Sequence, residues 1–194
     1  GTMINDEHIR LFQTWPPRDV EITVYGSDRE TYERVTRRPG SFNRFRDGLR
    51  RLGRAGVGIR LKAMALASNR SDFTAIESFC RDRTKDYFRF DPLLHLRYDR
   101  DPARNREIMA ERLSGSAIAE LERSDAGRYE AMRKDCDLLI RPEREGGMDG
   151  RLFGCGAGTN SFVVSDDGIF RLCDSLWHPD CIYDLRQGTL TDAW

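Results

Sequence analysis

The chain has 194 residues, 39% of them hydrophobic and 33% charged, and its 32 Lys and Arg balance its 32 Asp and Glu. That balance supplies no electrostatic drive toward nucleic acid or an anionic membrane, and the apolar fraction is too high for a disordered chain. No run of about 18 apolar residues and no basic-then-apolar leader occurs, so the expected setting is the cytosol, where five cysteines read as metal ligands or buried thiols.

Asn5 and Asp6 precede Ile9, Phe12 and Trp15 at helical spacing, and Pro16-Pro17 stops the pattern, which predicts a short first helix. Val20 to Tyr25 alternates apolar and polar residues and runs into Gly26-Ser27-Asp28, the pattern of a strand and its exit loop. Ser41 is placed to cap a helix with Phe42, Phe45, Leu49 and Leu52 on one face and Gly56 just past its end. Val57 to Leu66 predicts a second strand, with Ile59, Leu61 and Ala63 on one face, Arg60, Lys62 and Met64 on the other, and Ser68-Asn69-Arg70-Ser71 as its break. Phe73, Ile76, Phe79 and Cys80 form the next helical stripe, which assigns Cys80 to the core. Asp86 to Leu96 predicts a third strand interrupted by Asp91-Pro92. Strands alternating with helices indicate βαβ units and an α/β fold with a parallel sheet. Three parallel strands neither close a barrel nor protect both edges, so further strands are expected beside them.

From Asp99 to about Asp135 the chain is polar and helical in pattern, with Ile108, Leu113, Ile118, Leu121, Tyr129 and Met132 as sparse apolar positions. Pro142, Gly146, Gly147 and Gly150 among charges mark a linker. The expected organisation is therefore 1–98 for the βα units, 99–150 for a helical bridge and linker, and 151–194 for a small cysteine-bearing module. In that module Ser161–Ser165 and Ile169–Leu172 flank Asp166-Asp167-Gly168, a hairpin signal, and Thr189 to Trp194 reads as a capped one-turn helix with Leu190 and Trp194 on one face.

Cys155 and Cys173 bracket the hairpin, whose folding draws its ends together, and Gly156, Ala157 and Gly158 allow close backbone approach. Thiolates so placed suit a thiophilic metal centre, to which Cys181 and Cys136 are candidate further ligands. The competing reading makes each cysteine a small buried hydrophobe. Spacing does not choose between zinc and iron–sulfur, since the paired CxxC knuckles of a zinc ribbon are missing from the sequence. His95 and His178 read more simply as surface or turn residues than as ligands.

The pattern C-x12-G-x4-C carried by Cys155, Gly168 and Cys173 resembles the opening of the SPASM auxiliary iron–sulfur domain that follows radical S-adenosyl-L-methionine cores. VEITVYGSDRETYERVTRRPGSF resembles the fourth strand and following helix of those partial (β/α)6 barrels, and the opening GTM resembles the end of the strand before it. YFRFDPLL resembles their sixth strand, and DLRQGTLTDAW resembles the stretch after the first two SPASM cysteines. The sequence departs from the family in containing neither the CxxxCxxC loop of the S-adenosyl-L-methionine-cleaving cluster nor the later SPASM cysteines. The expectation is an internal piece of a longer enzyme, inactive alone; if Met3 is a true start, the expectation is a degenerate relative.

The resemblance implies [4Fe-4S] clusters and S-adenosyl-L-methionine as cofactors, with a reduced cluster generating a 5'-deoxyadenosyl radical for peptide or protein modification. It implies a peptide or protein substrate and an electron donor such as flavodoxin or ferredoxin. By the same resemblance Thr23, Tyr25, Lys62 and Asn69 are placed near the cofactor at the strand ends. Each has a plain structural alternative: Thr23 and Tyr25 suit a strand, Lys62 a polar face and Asn69 a turn. The alternative function is a standalone cysteine-metal module, binding zinc or a peptide without redox chemistry.

Overall fold

The computed structural model describes residues 1–84, 87–97, 101–139, 157–158 and 160–194, divided into two units, Gly1–Leu139 and Ile140–Trp194. In the first unit α1 (Asp6–Thr14) starts at Asn5, whose side chain accepts the His8 amide at 3.0 Å and so satisfies one unpaired first-turn donor. Trp15 lies past the helix end in a non-helical conformation and is exposed, so only Ile9 and Phe12 of the expected stripe reach the core.

The strands β1 (Val20–Val24), β2 (Ile59–Met64) and β3 (Arg89–Asp91) pair in parallel in that order. Between β1 and β2 run α2 (Arg29–Thr36), capped by Asp28, and α3 (Ser41–Arg54); a 3-10 turn (Ala67–Asp72) and α4 (Phe73–Arg81) connect β2 to β3. Ser41 is not the cap of α3. Gly40 holds that position in the left-handed region at φ 77°, and Ser41 is buried with its hydroxyl 2.7 Å from that of Thr36. Gly56, at φ 70°, ends α3 as its sequence position predicts, and the Val57 amide reaches back to the Leu52 carbonyl at 3.1 Å. The third strand is far shorter than the expected Asp86–Leu96. It stops at Asp91 because Pro92 has no N–H with which to extend the ladder.

Register sets the two faces of this sheet. Ile22 lies beside Leu61, Val24 beside Ala63, and Ala63 beside Phe90, forming one apolar face. Helices cover that face with Tyr32, Phe42, Phe45 and Leu52, then Phe73, Ile76 and Cys80. The chain continues within this first unit as α5 (Pro102–Glu111), α6 (Gly115–Ser124) and α7 (Ala126–Leu139). Leu121 of α6 is buried in the same core, whereas Tyr129 and Met132 of α7 are exposed. A bidentate pair, Arg128 with Glu122, lies mostly buried, and the guanidinium sits 4.1 Å from the Phe90 ring centroid, fastening α6 and α7 to β3. The result is a mixed α/β unit with an open three-stranded sheet and no barrel among the described residues.

In the second unit β4 (Val163–Val164) and β5 (Ile169–Arg171) form the expected antiparallel hairpin, and β6 (Ile182–Asp184) adds a third strand that the sequence patterns did not reveal. Ser165 closes the loop against Ile169, and Gly168 sits at φ 81°, a conformation that favours glycine over residues with a Cβ. Phe170 is buried beneath Phe162 and Trp194, with ring centroids 5.4 and 6.3 Å away. The final helix, α8 (Leu190–Ala193), has the expected Thr189 cap, completed by the Asp192 carboxylate accepting the Thr189 amide at 2.7 Å. Trp194 meets Phe162 and Phe170 edge-on, yet both it and Leu190 remain exposed. Among the described residues no helix is long and apolar enough to cross a membrane.

Candidate functional site

The face of the parallel sheet opposite the helices carries chemistry. Side chains alternate across a strand, so the register that buries Ile22, Leu61 and Ala63 aligns Thr23 with Lys62 and Lys62 with Arg89 on the other side. Lys62 Nζ lies 3.0 Å from Glu21 Oε1 and 2.8 Å from Asp91 Oδ2, and Arg89 Nη1 lies 3.1 Å from Glu21 Oε2. This four-residue network spans all three strands and is partly open to solvent. Hydrogen bonding to Asp91 first, and to Glu21, raises the Lys62 pKa despite the opposing effect of partial burial. Lys62 is thus a fixed positive charge rather than a base.

At the carboxyl ends of the strands, where open α/β sheets bind ligands, Tyr25, Leu66, Leu94 and Ile108 line a groove of about 620 Å³. A second groove of about 720 Å³ runs along the β1 side and is lined by Thr23, Tyr25, Tyr32, Arg38 and Arg44. Tyr25 therefore borders both. Burial raises its pKa, with Lys62 opposing and Asp91 adding to the shift, so its hydroxyl is a neutral donor at ordinary pH.

Of the four residues placed near a cofactor by resemblance, Thr23 and Tyr25 face a groove, and Lys62 lies at the centre of the charged network. Asn69 is 0% exposed. Its Oδ1 accepts the Leu66 amide at 2.9 Å, and its Nδ2 donates to the carbonyls of Tyr25 and Met64, also at 2.9 Å. The side chain ties the ends of β1 and β2 together, and its contribution to the rim is to hold that backbone. Glu21, Arg89 and Asp91 were not singled out by the sequence analysis. The signal was present: they are polar positions out of phase with the apolar ones, in parallel strands that normally read as continuous apolar runs.

The candidate metal ligands divide between the units. Cys136 is exposed on α7 of the first unit, Cys173 and Cys181 are half-buried in the second, and Cys155 lies outside the described residues. The expected approach of Cys155 to Cys173 therefore also lies outside them. Cys173 and Cys181 flank the last rung of the β5–β6 ladder, where the Leu172 amide donates to the Cys181 carbonyl at 3.4 Å. Cys173 Sγ accepts the Ser175 amide at 3.4 Å, the kind of backbone donation that supports a metal-bound thiolate. His178 Nδ1 accepts the Asp180 amide at 3.3 Å. The two thiols have the donor chemistry that a thiophilic ion takes. Among the described residues no three His, Cys, Asp or Glu side chains gather as a metal site.

Cys80 is buried among apolar groups, which pushes its thiol pKa up to about 12. Alkylation of the native protein at about pH 8 is expected to modify exposed Cys136 and to leave Cys80 unmodified. Peptide mass spectrometry reads both sites, and equal labelling of the two would contradict the packing of α4 described above.

In comparisons with known proteins, no family model, curated protein or solved structure matches this chain.

Proposed function

We propose that this chain contributes later βα units of a radical S-adenosyl-L-methionine barrel and the start of a SPASM-type iron–sulfur domain, in an enzyme that modifies a peptide or protein. The observation that carries this reading is that, among the described residues of the first unit, helices cover one face of the parallel sheet and a charged row lies on the other. Purely parallel sheets are usually packed on both faces, whereas a segment of a barrel has helices outside and a lining inside. Here the helices bury Ile22, Val24, Leu61, Ala63 and Phe90, and the opposite face bears Glu21, Thr23, Lys62, Arg89 and Asp91. On this reading the charged row is barrel lining. Thr23 and Tyr25 contact S-adenosyl-L-methionine or substrate at the rim, and Asn69 holds that rim in shape.

The hairpin supports the second half of the reading. Gly168 of C-x12-G-x4-C occupies a left-handed position at the loop, so the motif's glycine has a backbone reason to be there. Cys155, Cys173 and Cys181 hold the auxiliary cluster in this proposal. When bound, such a cluster supplies electron transfer or anchors substrate. The protein's own part is to offer thiolates, donate the Ser175 amide to Cys173 and shield the sulfur with the hairpin.

Anaerobic reconstitution with iron and sulfide tests the proposal. The expected product is brown, with stoichiometric bound sulfide, and loses its iron–sulfur absorption on Cys155→Ala or Cys173→Ala. Stoichiometric zinc uptake with no sulfide would overturn it in favour of a metal-binding module without redox chemistry.

A further inference from the structure

We propose that the cleft between α3 and α4 is a docking site for an acidic segment of a partner protein, which anchors there by one large apolar side chain. Leu49 of α3, Ile59 and Leu61 of β2 and Phe79 of α4 give the cleft, of about 370 Å³, an apolar floor. Arg46 and Arg50 of α3 and Arg83, just past α4, complete its lining, and among the described residues no acidic side chain joins them. The chain as a whole balances 32 basic against 32 acidic residues, so three cations around an apolar floor without an anion form a local imbalance. Such a lining is complementary to carboxylates that flank an apolar anchor. At that volume the cleft suits one anchoring side chain better than a whole cofactor.

The three guanidiniums are held in place but little engaged. Arg83 lies 3.9 Å from the Phe79 ring centroid and donates from Nη1 to the Phe79 carbonyl at 3.1 Å, while an Asp82 carboxylate oxygen stands 4.0 Å away, beyond hydrogen-bond reach. Arg46 lies 5.9 Å from the Phe42 ring centroid, and among the described residues its guanidinium has no hydrogen bond or ion pair. Arg50 pairs with Asp47 at 2.8 Å within one helical turn, but both side chains are more than half exposed, and a pair of that kind contributes little. Guanidiniums already resting on rings lose little freedom when a carboxylate arrives, and their planar fork matches it in bidentate geometry. The same rings argue against nucleic acid. Phe42 is buried and Phe79 is overlaid by Arg83, so neither offers an open face on which a base can stack.

Fluorescence anisotropy of the full chain with a labelled synthetic peptide, one leucine flanked on each side by two glutamates, provides the test. The peptide is expected to bind with an affinity that falls as salt rises, and Arg46→Glu or Arg83→Glu is expected to weaken it by about tenfold or more. Replacing its leucine by serine is expected to cost about tenfold, the scale for withholding one large apolar side chain from burial, whereas attraction by charge alone would leave the two peptides equal. Arg133→Glu, on the exposed surface of α7 and outside the cleft, is expected to bind as the wild type does. Thermal melting checks that each variant is folded. Should Arg83→Glu unfold the chain, Arg46→Glu decides alone, because its guanidinium has no hydrogen bond to lose. Any one of four results would overturn the proposal: no binding of the acidic peptide, equal binding of a peptide with lysines in place of its glutamates, an equal loss in Arg133→Glu, or tighter binding of a labelled oligouridine.

Discussion

Phe45→Ala is expected to destabilise the first unit by about 3–5 kcal/mol, the range for deleting a fully buried aromatic side chain. Phe45 is 0% exposed. Its ring stacks on Tyr32 at 4.8 Å and lies 6.2 Å from Phe42 and 6.0 Å from Phe79. It therefore joins α2 and α3 to the next turn of the core. Removing it forfeits the apolar burial and the ring contacts, and leaves a hole that the close-packed surroundings cannot readily fill. Urea unfolding monitored by circular dichroism measures the shift in midpoint. A loss below about 1 kcal/mol would mean that α3 does not pack on the sheet as described, because surface substitutions cost that little.

Asn69→Ala is expected to cost about 3 kcal/mol, because it unmakes three buried hydrogen bonds and strands their backbone partners. The Leu66 amide and the carbonyls of Tyr25 and Met64 all lie at the carboxyl ends of β1 and β2, so the cost falls on the rim itself. Asn69→Asp separates geometry from volume. It retains an acceptor for Leu66 but presents an oxygen to the two carbonyls, so it too is expected to be destabilising. Both variants are expected to lower the melting temperature before any ligand is added. Were Asn69→Ala to melt like the wild type and fail only in binding S-adenosyl-L-methionine, the residue would be a ligand contact and the backbone role assigned to it would be wrong.

These two residues differ in how visible they were. Phe45 belongs to a stripe with Phe42, Leu49 and Leu52, and the 3.6-residue period placed it on the buried face of α3 from sequence alone. Asn69 sits in a run of polar residues that reads as a turn, and a turn it is. Its decisive bond to the Tyr25 carbonyl spans 44 positions of chain, which no local pattern encodes. The candidate site as a whole shows the same contrast. The alternation in β1 and β2 marked Thr23, Tyr25 and Lys62 as the polar side, yet the pairing of Arg89 with Glu21, 68 positions apart, depends on which strand lies beside which and in what register.

In the second unit the hairpin, the place of Gly168 and the Thr189 cap were legible because each is a backbone requirement met within a few residues. The strand β6 was not, since three residues are too few to show a period, and its pairing with β5 defines it. The same holds for β3, where Pro92 limited a longer apolar stretch to three paired residues. Local periodicity, caps and turn chemistry thus determined the α/β character, most helices, two parallel strands and the hairpin, because each follows from short-range sterics and from which side of an element is apolar. Tertiary structure alone decided which face of the sheet the helices cover, the Glu21–Lys62–Asp91–Arg89 row and the spent side chain of Asn69. Those depend on distances between residues remote in the chain, and only packing brings such residues together.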